Sequence, residues 1–339
     1  MKVTTFGLDL AKRVFQVHWV DMETGEICRR QLKRSEVAEF FANREAAVVA
    51  MEACGSAHYW ARKLAAMGHE VKLIAAQFVR PFVKSNKTDA ADAQAIWEAV
   101  QRPGMKFVAM KSEGQQSVLT LHRMRELLVK TRTMQINQLR GLLYEFGADL
   151  PAGRQRGMAR IPAELAKLEP TLPAMVIETM RSQLERLAGL DRDIAEIERK
   201  LSAWKKEDAA SKKLMQIPGV GLLTATAAVA TIGEAKAFKS GREFAAFVGL
   251  VPRQSGTGGR VKLLGISKRG DVYLRTLLIH GARAVITHQK EREPWLDKLL
   301  ARRPFNAACV ALANKMARTI WALLAHDRTY QKGYAANAA

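Results

Sequence analysis

The sequence predicts an α/β domain at the N-terminus, followed by a long helical region and a mostly helical C-terminal domain. Short apolar, β-branched runs alternate with turns and helical segments over the first part of the chain. Residues 113–146 contain few helix breakers, and further apolar helical segments follow. A chain of 339 residues is long enough for two or three domains with separate cores. We place the domains at residues 1–110, 111–205 and 206–330, with a tail at 331–339.

The first domain is predicted to contain a mixed sheet with helices on its faces. Three apolar strands form a meander, in which Thr24-Gly25 makes one turn. Two more strands then alternate with three helices, the order expected for a mixed α/β sheet. The predicted strands cover 3–10, 14–20, 27–32, 46–51 and 71–74, and the first two helices cover about 35–43, with Ser35 as N-cap, and 57–67.

Four acidic residues lie at the ends of these elements. Asp9 ends the first strand, Glu52 ends the fourth, and Asp89 and Asp92 open the helix that follows Thr88. Strand ends and helix starts can converge at one edge of a sheet, where four carboxylates would repel one another without a divalent cation. Oxygen ligands favour Mg²⁺ or Mn²⁺, and such a centre can activate a nucleophile and stabilise a leaving oxygen at phosphorus.

The same acids also have a purely structural interpretation. Thr88 is a suitable N-cap, and Asp89 and Asp92 share one face of a first helical turn, where acids favour the helix dipole. Asp9 could be an exposed turn acid, although its neighbours are mostly apolar and a carboxylate in a core strand needs a partner. The residues alone leave both interpretations open.

The middle of the chain is predicted to be helical. Residues 113–146 form one long helix, and residues 147–173 are predicted to be a linker because they contain several glycine and proline residues. Apolar residues then recur at spacings of three and four, as in a short heptad seam. These are Leu187, Leu190, Ile194, Ile197 and Leu201. A helical hairpin or a coiled-coil arm fits this pattern, and the seam could pack within one chain or between two.

The segment from Ile217 to Gly221 is predicted to be the turn of a helix-hairpin-helix element. A glycine turn of this kind exposes backbone N–H groups at a helix N-terminus, and such groups bind phosphate without reading bases. A plain glycine-rich connection between two helices is the alternative.

Residues 253–260 are predicted to form a flexible loop that carries two hydroxyl residues, Ser255 and Thr257, ahead of a helix from about Val272. Basic residues surround these hydroxyls. They are Arg253, Arg260, Lys262, Lys268, Arg269 and Arg275. A hydroxyl among guanidinium groups could attack a phosphodiester, because arginine stabilises charge on the phosphoryl oxygens. The loop could equally hold phosphate without chemistry.

The charge of the chain points to a polyanionic partner. Lys and Arg number 54 against 33 Asp and Glu, a formal net charge of +21, and such an excess favours nucleic acid or an anionic membrane. No uncharged apolar run reaches the length of a membrane-spanning helix, and the N-terminus does not look like a signal peptide. The three cysteines are far apart, which indicates reduced thiols in a cytoplasmic protein without a zinc site.

Three motifs of the first domain together resemble a known family. Gly7-Leu8-Asp9-Leu10-Ala11-Lys12, Met51-Glu52-Ala53-Cys54-Gly55 and Lys87-Thr88-Asp89-Ala90-Ala91-Asp92-Ala93 resemble the RuvC-like Asp-Glu-Asp-Asp domain of IS110-type insertion-sequence transposases. The similarity is greatest to the IS1111 branch. In the last domain, residues 247–254 and 265–270 resemble the segments that flank the family's nucleophilic serine. The motifs occur in family order over nearly the whole chain.

The resemblance implies an RNase H-like (RuvC-like) N-terminal domain, and a C-terminal transposase domain that begins at the helix-hairpin-helix element. Asp9, Glu52, Asp89 and Asp92 would be the metal-binding tetrad. Many relatives carry Ser-Ser before the Gly-Gly pair, whereas here Ser255-Gly256-Thr257 precedes Gly258-Gly259. We assign the nucleophile to Ser255, whose primary hydroxyl is less hindered, with Thr257 as competitor and Ser267 as a helix cap or phosphate contact. Nucleic-acid contacts are expected from Lys87, Arg253, Thr257, Arg260, Lys262, Lys268 and Arg269.

The function implied by the resemblance is DNA transposition or recombination. A noncoding RNA from the element would guide the enzyme to donor and target DNA, and the enzyme would work as a dimer or tetramer with Mg²⁺ or Mn²⁺. Two other functions stay open on the residues: a metal-dependent junction nuclease that activates water, and a protein that binds RNA or DNA without catalysis.

Overall fold

We describe the protein from a computed structural model, which covers residues 3–83, 88–289 and 291–332. The chain divides into two compact units, Met1–Gln115 with Ile232–Lys239, and Gln116–Thr231 with Ser240–Ala339. The first unit contains a mixed α/β sheet and the second is mostly helical. The predicted order of a mixed sheet followed by a mainly helical region is therefore confirmed, whereas the domain boundaries stay predictions.

The sheet of the first unit has six strands in the order β3-β2-β1-β4-β5-β6. Their bounds are β1 Thr5–Asp9, β2 Val14–Val20, β3 Ile27–Lys33, β4 Val48–Glu52, β5 Glu70–Ile74 and β6 Phe107–Val108. The central pairs β1 with β4 and β4 with β5 are parallel, and the other pairs are antiparallel. The five strands expected from the sequence are present. The sixth was missed because two residues are too short to show alternation.

The helices of the first unit are α1 Val37–Ala42, α2 Ala57–Ala65, α3 Ala76–Val79 and α4 Asp89–Val100. Thr88 is the N-cap of α4, and its Oγ1 accepts a hydrogen bond from the backbone N–H of Ala91 at 3.2 Å. The prediction of Ser35 as a cap was wrong. The N-cap of α1 is Glu36, whose carboxylate accepts a hydrogen bond from the backbone N–H of Lys33 in the preceding turn.

Two apolar layers cover the two faces of this sheet. Phe6 and Leu8 of β1 are buried with residues of α1 and α2 on one face. Since side chains alternate along a strand, Gly7 and Asp9 face the other side, where α4 packs. A Cβ on Gly7 would lie 2.3 Å from the carbonyl oxygen of Ala93. The glycine therefore permits the close approach of α4 to β1.

The second unit is mainly helical. Its helices are α5 Glu113–Glu145, whose first residues belong to the first unit, α6 Arg154–Leu168, α7 Ala174–Glu207, α8 Ala209–Leu214, α9 Leu222–Ile232, α10 Gly241–Phe247, α11 Val272–His288, α12 Pro294–Leu300 and α13 Phe305–Ala325. The predicted linker at 147–173 was wrong over its middle, where α6 accommodates Pro162 inside the helix. Buried Ile161 and Leu165 explain this helix, because packing outweighs the breaker signal.

The heptad-like seam of α7 packs within the chain. Leu187, Ile197 and Leu201 are buried in clusters that include residues of α5, and Ile194 is also buried. Polar pairs join the same two helices, from Arg125 to Glu198 at 2.8 Å and from Arg132 to Asp191 at 2.6 Å. Partner numbers fall along α7 as they rise along α5, so the helices are antiparallel. The helical-hairpin alternative fits these contacts, and a coiled-coil arm between subunits stays a prediction.

The turn predicted to belong to a helix-hairpin-helix element joins α8 to α9. Gly219 has φ +82°, and a Cβ there would lie 2.7 Å from the carbonyl oxygen of Gly281 in α11. This glycine is required for close backbone packing. Its role in phosphate binding remains a prediction.

Among the described residues, α13 is the one helix that is long and apolar enough to cross a membrane by length and composition. Lys315 and Arg318 interrupt it, and 44% of its most apolar window is buried inside the protein. Core helices of soluble proteins meet the same criterion. This helix is therefore weak evidence for a membrane span.

Candidate functional site

Three of the predicted acids meet at one edge of the sheet. Asp9 is the last residue of β1, and Asp89 and Asp92 lie in the first turn of α4. One carboxylate oxygen from each of these aspartates lies within 4.8 Å of the others. The close packing of α4 over Gly7, together with the Thr88 cap, determines where the helix starts relative to Asp9.

Glu52 belongs to the same electrostatic environment. It ends β4, which pairs in parallel with β1, so that Asp9 and Glu52 end neighbouring strands at the same sheet edge. Ala50 is buried against α4, and by alternation Glu52 faces the same side. Burial, followed by the charges of Asp92, Asp89 and Glu52, raises the pKa of Asp9 from 3.8 to about 6. The cluster within 4.8 Å comprises the three aspartates.

The donor set suits a hard divalent cation. All the acids offer oxygen, the ligand atom that Mg²⁺ and Mn²⁺ prefer. The pKa of Asp9 is raised because the carboxylate is partly buried and because the neighbouring carboxylates repel its negative charge. Bound positive charge would relieve that repulsion. Lys87, which was predicted to contact nucleic acid beside these acids, lies outside the described residues.

Ser255 and Thr257 lie on a β-hairpin, and the predicted flexible loop was wrong. The strands are β7 Pro252–Thr257 and β8 Arg260–Ile266, and Gly258-Gly259 forms the turn between them. Both glycines have positive φ, at +55° and +80°. Such angles suit the two-residue turns that match the twist of a hairpin, so the glycine pair promotes pairing of the strands.

Both candidate nucleophiles lie on the same face of this hairpin. Ser255 pairs with Lys262, and Thr257 pairs with Arg260, at alternate positions of the ladder. Each hydroxyl therefore has a cation directly across the strand, and β7 is exposed along its whole length. The opposite face carries Val261, which is 65% exposed. The hairpin thus presents one polar, basic face and one apolar face.

The base of the hairpin is held by two glycines and a buried arginine. A Cβ on Gly270 would lie 1.7 Å from the carbonyl oxygen of Phe247, and one on Gly249 would lie 2.2 Å from that of Arg269. The guanidinium of Arg275 donates hydrogen bonds to the carbonyl oxygens of Val248 and Arg269 at 2.8 and 2.9 Å. Residues 247–254 and 265–270, the two segments expected to flank the nucleophile, are therefore packed directly on each other.

Arg275 is a residue whose role sequence reasoning missed. It was counted among the basic residues around the hydroxyls, yet it is 7% exposed and bonds to backbone carbonyls. Its spacing of three and seven from buried Leu278 and Ala282 was the available signal. Ser267 is not a helix cap, since Asp271 caps α11. The Ser267 hydroxyl is buried and has no hydrogen-bond partner among the described residues.

The remaining basic residues of this region form an exposed positive surface. None of them makes an ion pair within the part of the chain that the structure describes. They are Arg253, Arg260, Lys262, Lys268 and Arg269. Unpaired cations beside a hydroxyl suit a phosphodiester, because the phosphate can replace solvent at several of them together.

Comparisons with known proteins identify the family of this chain. Residues 6–147 match the family model of the IS110 DEDD transposases, and residues 211–296 match the model described as "Transposase IS116/IS110/IS902 family". The chain is 50% identical to "Probable family 20 transposase" from Pseudomonas aeruginosa, with 98% of this chain and 100% of the relative covered.

Two further relatives carry insertion-sequence names. The transposase for insertion sequence element IS1111A from Coxiella burnetii is 43% identical, over 98% of this chain and 92% of its own length. The transposase for IS1328 from Yersinia enterocolitica is 39% identical, over 97% of this chain and 99% of its own length. The chain therefore belongs to the IS110 family of DEDD transposases, the enzymes that cut and rejoin insertion-sequence DNA.

Proposed function

We propose that this transposase cuts and rejoins DNA with a serine nucleophile and an acidic divalent-metal centre. The observation that carries the proposal is the convergence of the Asp9, Asp89 and Asp92 carboxylates within 4.8 Å, with the charge of Glu52 acting on Asp9. Such convergence is electrostatically costly and is explained by a cation that the acids bind.

Asp9, Glu52, Asp89 and Asp92 would hold Mg²⁺ or Mn²⁺. When bound, the cation supplies Lewis-acid stabilisation of charge on phosphoryl and leaving oxygens. The chain's own contribution is to orient the carboxylates. The strand ends carry Asp9 and Glu52, and the Thr88 cap holds the first turn that carries the other two.

Ser255 would supply the nucleophile. Its Oγ forms a bond to phosphorus while the bond from phosphorus to one deoxyribose oxygen breaks, which leaves the DNA strand attached to the protein through a phosphodiester. The hydroxyl proton passes to water, and the departing oxygen takes up a proton from water. Lys262 across the ladder and the neighbouring Arg260 would neutralise the phosphate during attack. Rejoining reverses these steps with the hydroxyl of another strand.

A covalent adduct tests this mechanism. Wild-type protein incubated with Mg²⁺ and DNA from an element end should yield a protein–DNA adduct that survives denaturation. We expect Ser255→Ala to abolish it and Thr257→Ala to leave it, because the threonine hydroxyl is the more hindered. Loss in Thr257→Ala alone would move the nucleophile to Thr257.

The acidic centre has its own test. We expect Asp92→Asn to lose the adduct while it keeps DNA binding, because the change removes one charge from the centre and leaves the basic hairpin intact. Asp193→Asn, at an exposed position on α7, serves as the matched control and should react as the wild type does.

Two other functions predict different results. A nuclease that activates water would cleave DNA in both Ser255→Ala and Thr257→Ala and would leave no adduct. A binding protein without catalysis would show no Mg²⁺-dependent cleavage, and Asp9→Ala with Asp92→Ala would leave its binding intact. Cleavage without an adduct, or the absence of any Mg²⁺-dependent cleavage by the wild type, would overturn the serine mechanism.

We also propose that a structured noncoding RNA guides the enzyme, and that the working form is a cytoplasmic dimer or tetramer. Family membership and the net charge of +21 support RNA and DNA binding together. Sequencing of the nucleic acid that co-purifies with the protein should recover RNA transcribed from DNA next to its gene. Recovery of only bulk cellular RNA would contradict RNA guidance, and light scattering of the complex would report the subunit number.

A further inference from the structure

A basic groove with aromatic residues lies in the first unit, apart from the residues assigned above. Its volume is about 590 Å³, and it is lined by residues of three separate segments. The lining residues are Lys12, Arg13, Val14, Lys33, Arg34, Ser35, Tyr59, Trp60 and Lys63. We call it the β1–β3–α2 groove. Five of the nine lining residues are cations and none is acidic.

The groove and the acidic centre lie at the same edge of the sheet. Lys12 and Arg13 follow Asp9 in the turn after β1. Because β2 is antiparallel to both β1 and β3, β3 runs parallel to β1 and ends at this edge, at Lys33. α2 begins shortly after Glu52. The acidic centre lies on the α4 side of the sheet and the groove lies on the α2 side. A nucleic-acid strand that crosses this edge of the sheet would therefore pass both.

The groove cations are available to a ligand. Lys12, Arg13, Lys33 and Arg34 are exposed, and none of the five cations makes an ion pair among the residues that the structure describes. The nearby acid Glu36 accepts a hydrogen bond from the Lys33 backbone, and no ion pair joins it to the Lys33 ammonium. The groove therefore holds uncompensated positive charge that phosphates can neutralise.

The aromatic residues of the groove add a second feature. The guanidinium carbon of Arg34 lies 5.4 Å from the Trp60 ring centroid, and the Lys63 ammonium lies at the same distance from it. Trp60 is 3% exposed, and its indole N–H has no acceptor among the described residues. Tyr59, which contacts Trp60 edge-on, is 45% exposed. An exposed aromatic ring in a groove lined by cations is the arrangement on which an unpaired base stacks.

We propose that the β1–β3–α2 groove binds a single-stranded segment of DNA that leads to or from the acidic centre, with a base stacked on Tyr59 and phosphates on the surrounding cations. The inference rests on the proposed function, because the acidic centre is what assigns the strand to DNA. A duplex would keep its bases stacked inside and could not use Tyr59. Single-stranded character is therefore the specific content of the proposal.

Photocrosslinking tests the proposal directly. The full-length protein is irradiated in EDTA with a thymidine oligonucleotide of about twelve residues, the range that single-strand sites span. The oligonucleotide carries 5-iododeoxyuridine, and the crosslinked peptide is identified by mass spectrometry. We expect a crosslink at Tyr59. A matched RNA with 5-iodouridine and a matched duplex form the other two arms, and both should crosslink there several-fold less.

Paired variants test the cations. Arg13→Gln with Lys33→Gln should reduce the Tyr59 crosslink and lower the slope of log affinity against log salt by about 1.4, since each phosphate contact of a single strand contributes about 0.7. Lys72→Gln with Arg102→Gln removes the same charge from β5 and from the end of α4, outside the groove, and should leave the Tyr59 crosslink unchanged.

The outcomes are decisive and separate from the cleavage test. Crosslinks elsewhere but none at Tyr59 would overturn the groove, and preference for RNA or duplex would overturn its assignment to single-stranded DNA. Because EDTA prevents metal-dependent cleavage, binding is measured alone. A Tyr59 crosslink in a protein that never forms a serine adduct would support the groove proposal and contradict the proposed serine mechanism. A serine adduct without a Tyr59 crosslink would contradict only the groove proposal.

Discussion

His122 is expected to make the stability of the second unit depend on pH. It lies in α5 and is 1% exposed, with Nε2 3.0 Å from Thr226 Oγ1 in α9 and Nδ1 2.9 Å from Tyr273 Oη in α11. The Thr226 hydroxyl already donates to the carbonyl oxygen of Leu222, so Nε2–H donates to Thr226 and Nδ1 accepts from Tyr273. A neutral ring thus joins three helices.

The magnitude follows from the pKa. Burial, and then the charges of Arg125 and Arg123, lower the pKa of His122 from 6.5 to about 4, against a small opposing effect of Asp271. The unfolded chain therefore takes up a proton at higher pH than the folded chain. Stability is unaffected above pH 6.5 and falls as the pH decreases toward 4. At 1.36 kcal/mol per unit, the full loss is about 3 kcal/mol.

The assay compares unfolding free energies of wild type and His122→Gln in urea, measured by helical circular dichroism between pH 6.5 and 4. Glutamine cannot take up a proton, so the stability advantage of the wild type should shrink by about 3 kcal/mol over this range. His280→Gln, exposed on α11, is the matched control and should follow the wild type at every pH. A difference between wild type and His122→Gln that does not change with pH would refute the reasoning.

Three further predictions concern the packing of the two sites. Gly7→Ala should lower the melting temperature and weaken stabilisation by Mg²⁺ in thermal-shift assays, because its Cβ would press on α4; Gly55→Ala has open space and should do neither. Gly270→Ala should abolish the protein–DNA adduct and cost about 2 kcal/mol or more through its clash and positive φ, whereas Gly265→Ala should react normally. Arg275→Ala should speed tryptic cleavage within the β7–β8 hairpin, and equal cleavage rates would contradict a bracing role.

Much of the first unit could be predicted from the sequence because its signals are local. Alternation of apolar side chains identified β2 at its observed bounds, and Thr88 before two acids identified the start of α4. The acids at Asp9 and Glu52 were recognisable because each ends an apolar strand. Local signals misled where a longer-range effect was stronger, as at α6, where burial of Ile161 and Leu165 outweighs Pro162.

By itself, then, the sequence determined the family, the strands and the acids that end them, since hydrophobic period and capping act over a few neighbouring residues. Only the tertiary structure decided which face each acid takes relative to α4, that Arg275 is buried at the base of the β7–β8 hairpin, and that Ser255 and Thr257 share a face. It also decided the β1–β3–α2 groove, whose residues come from three distant segments. These features depend on the order of strands and on which helix covers each face, and contacts between segments far apart in the chain set both.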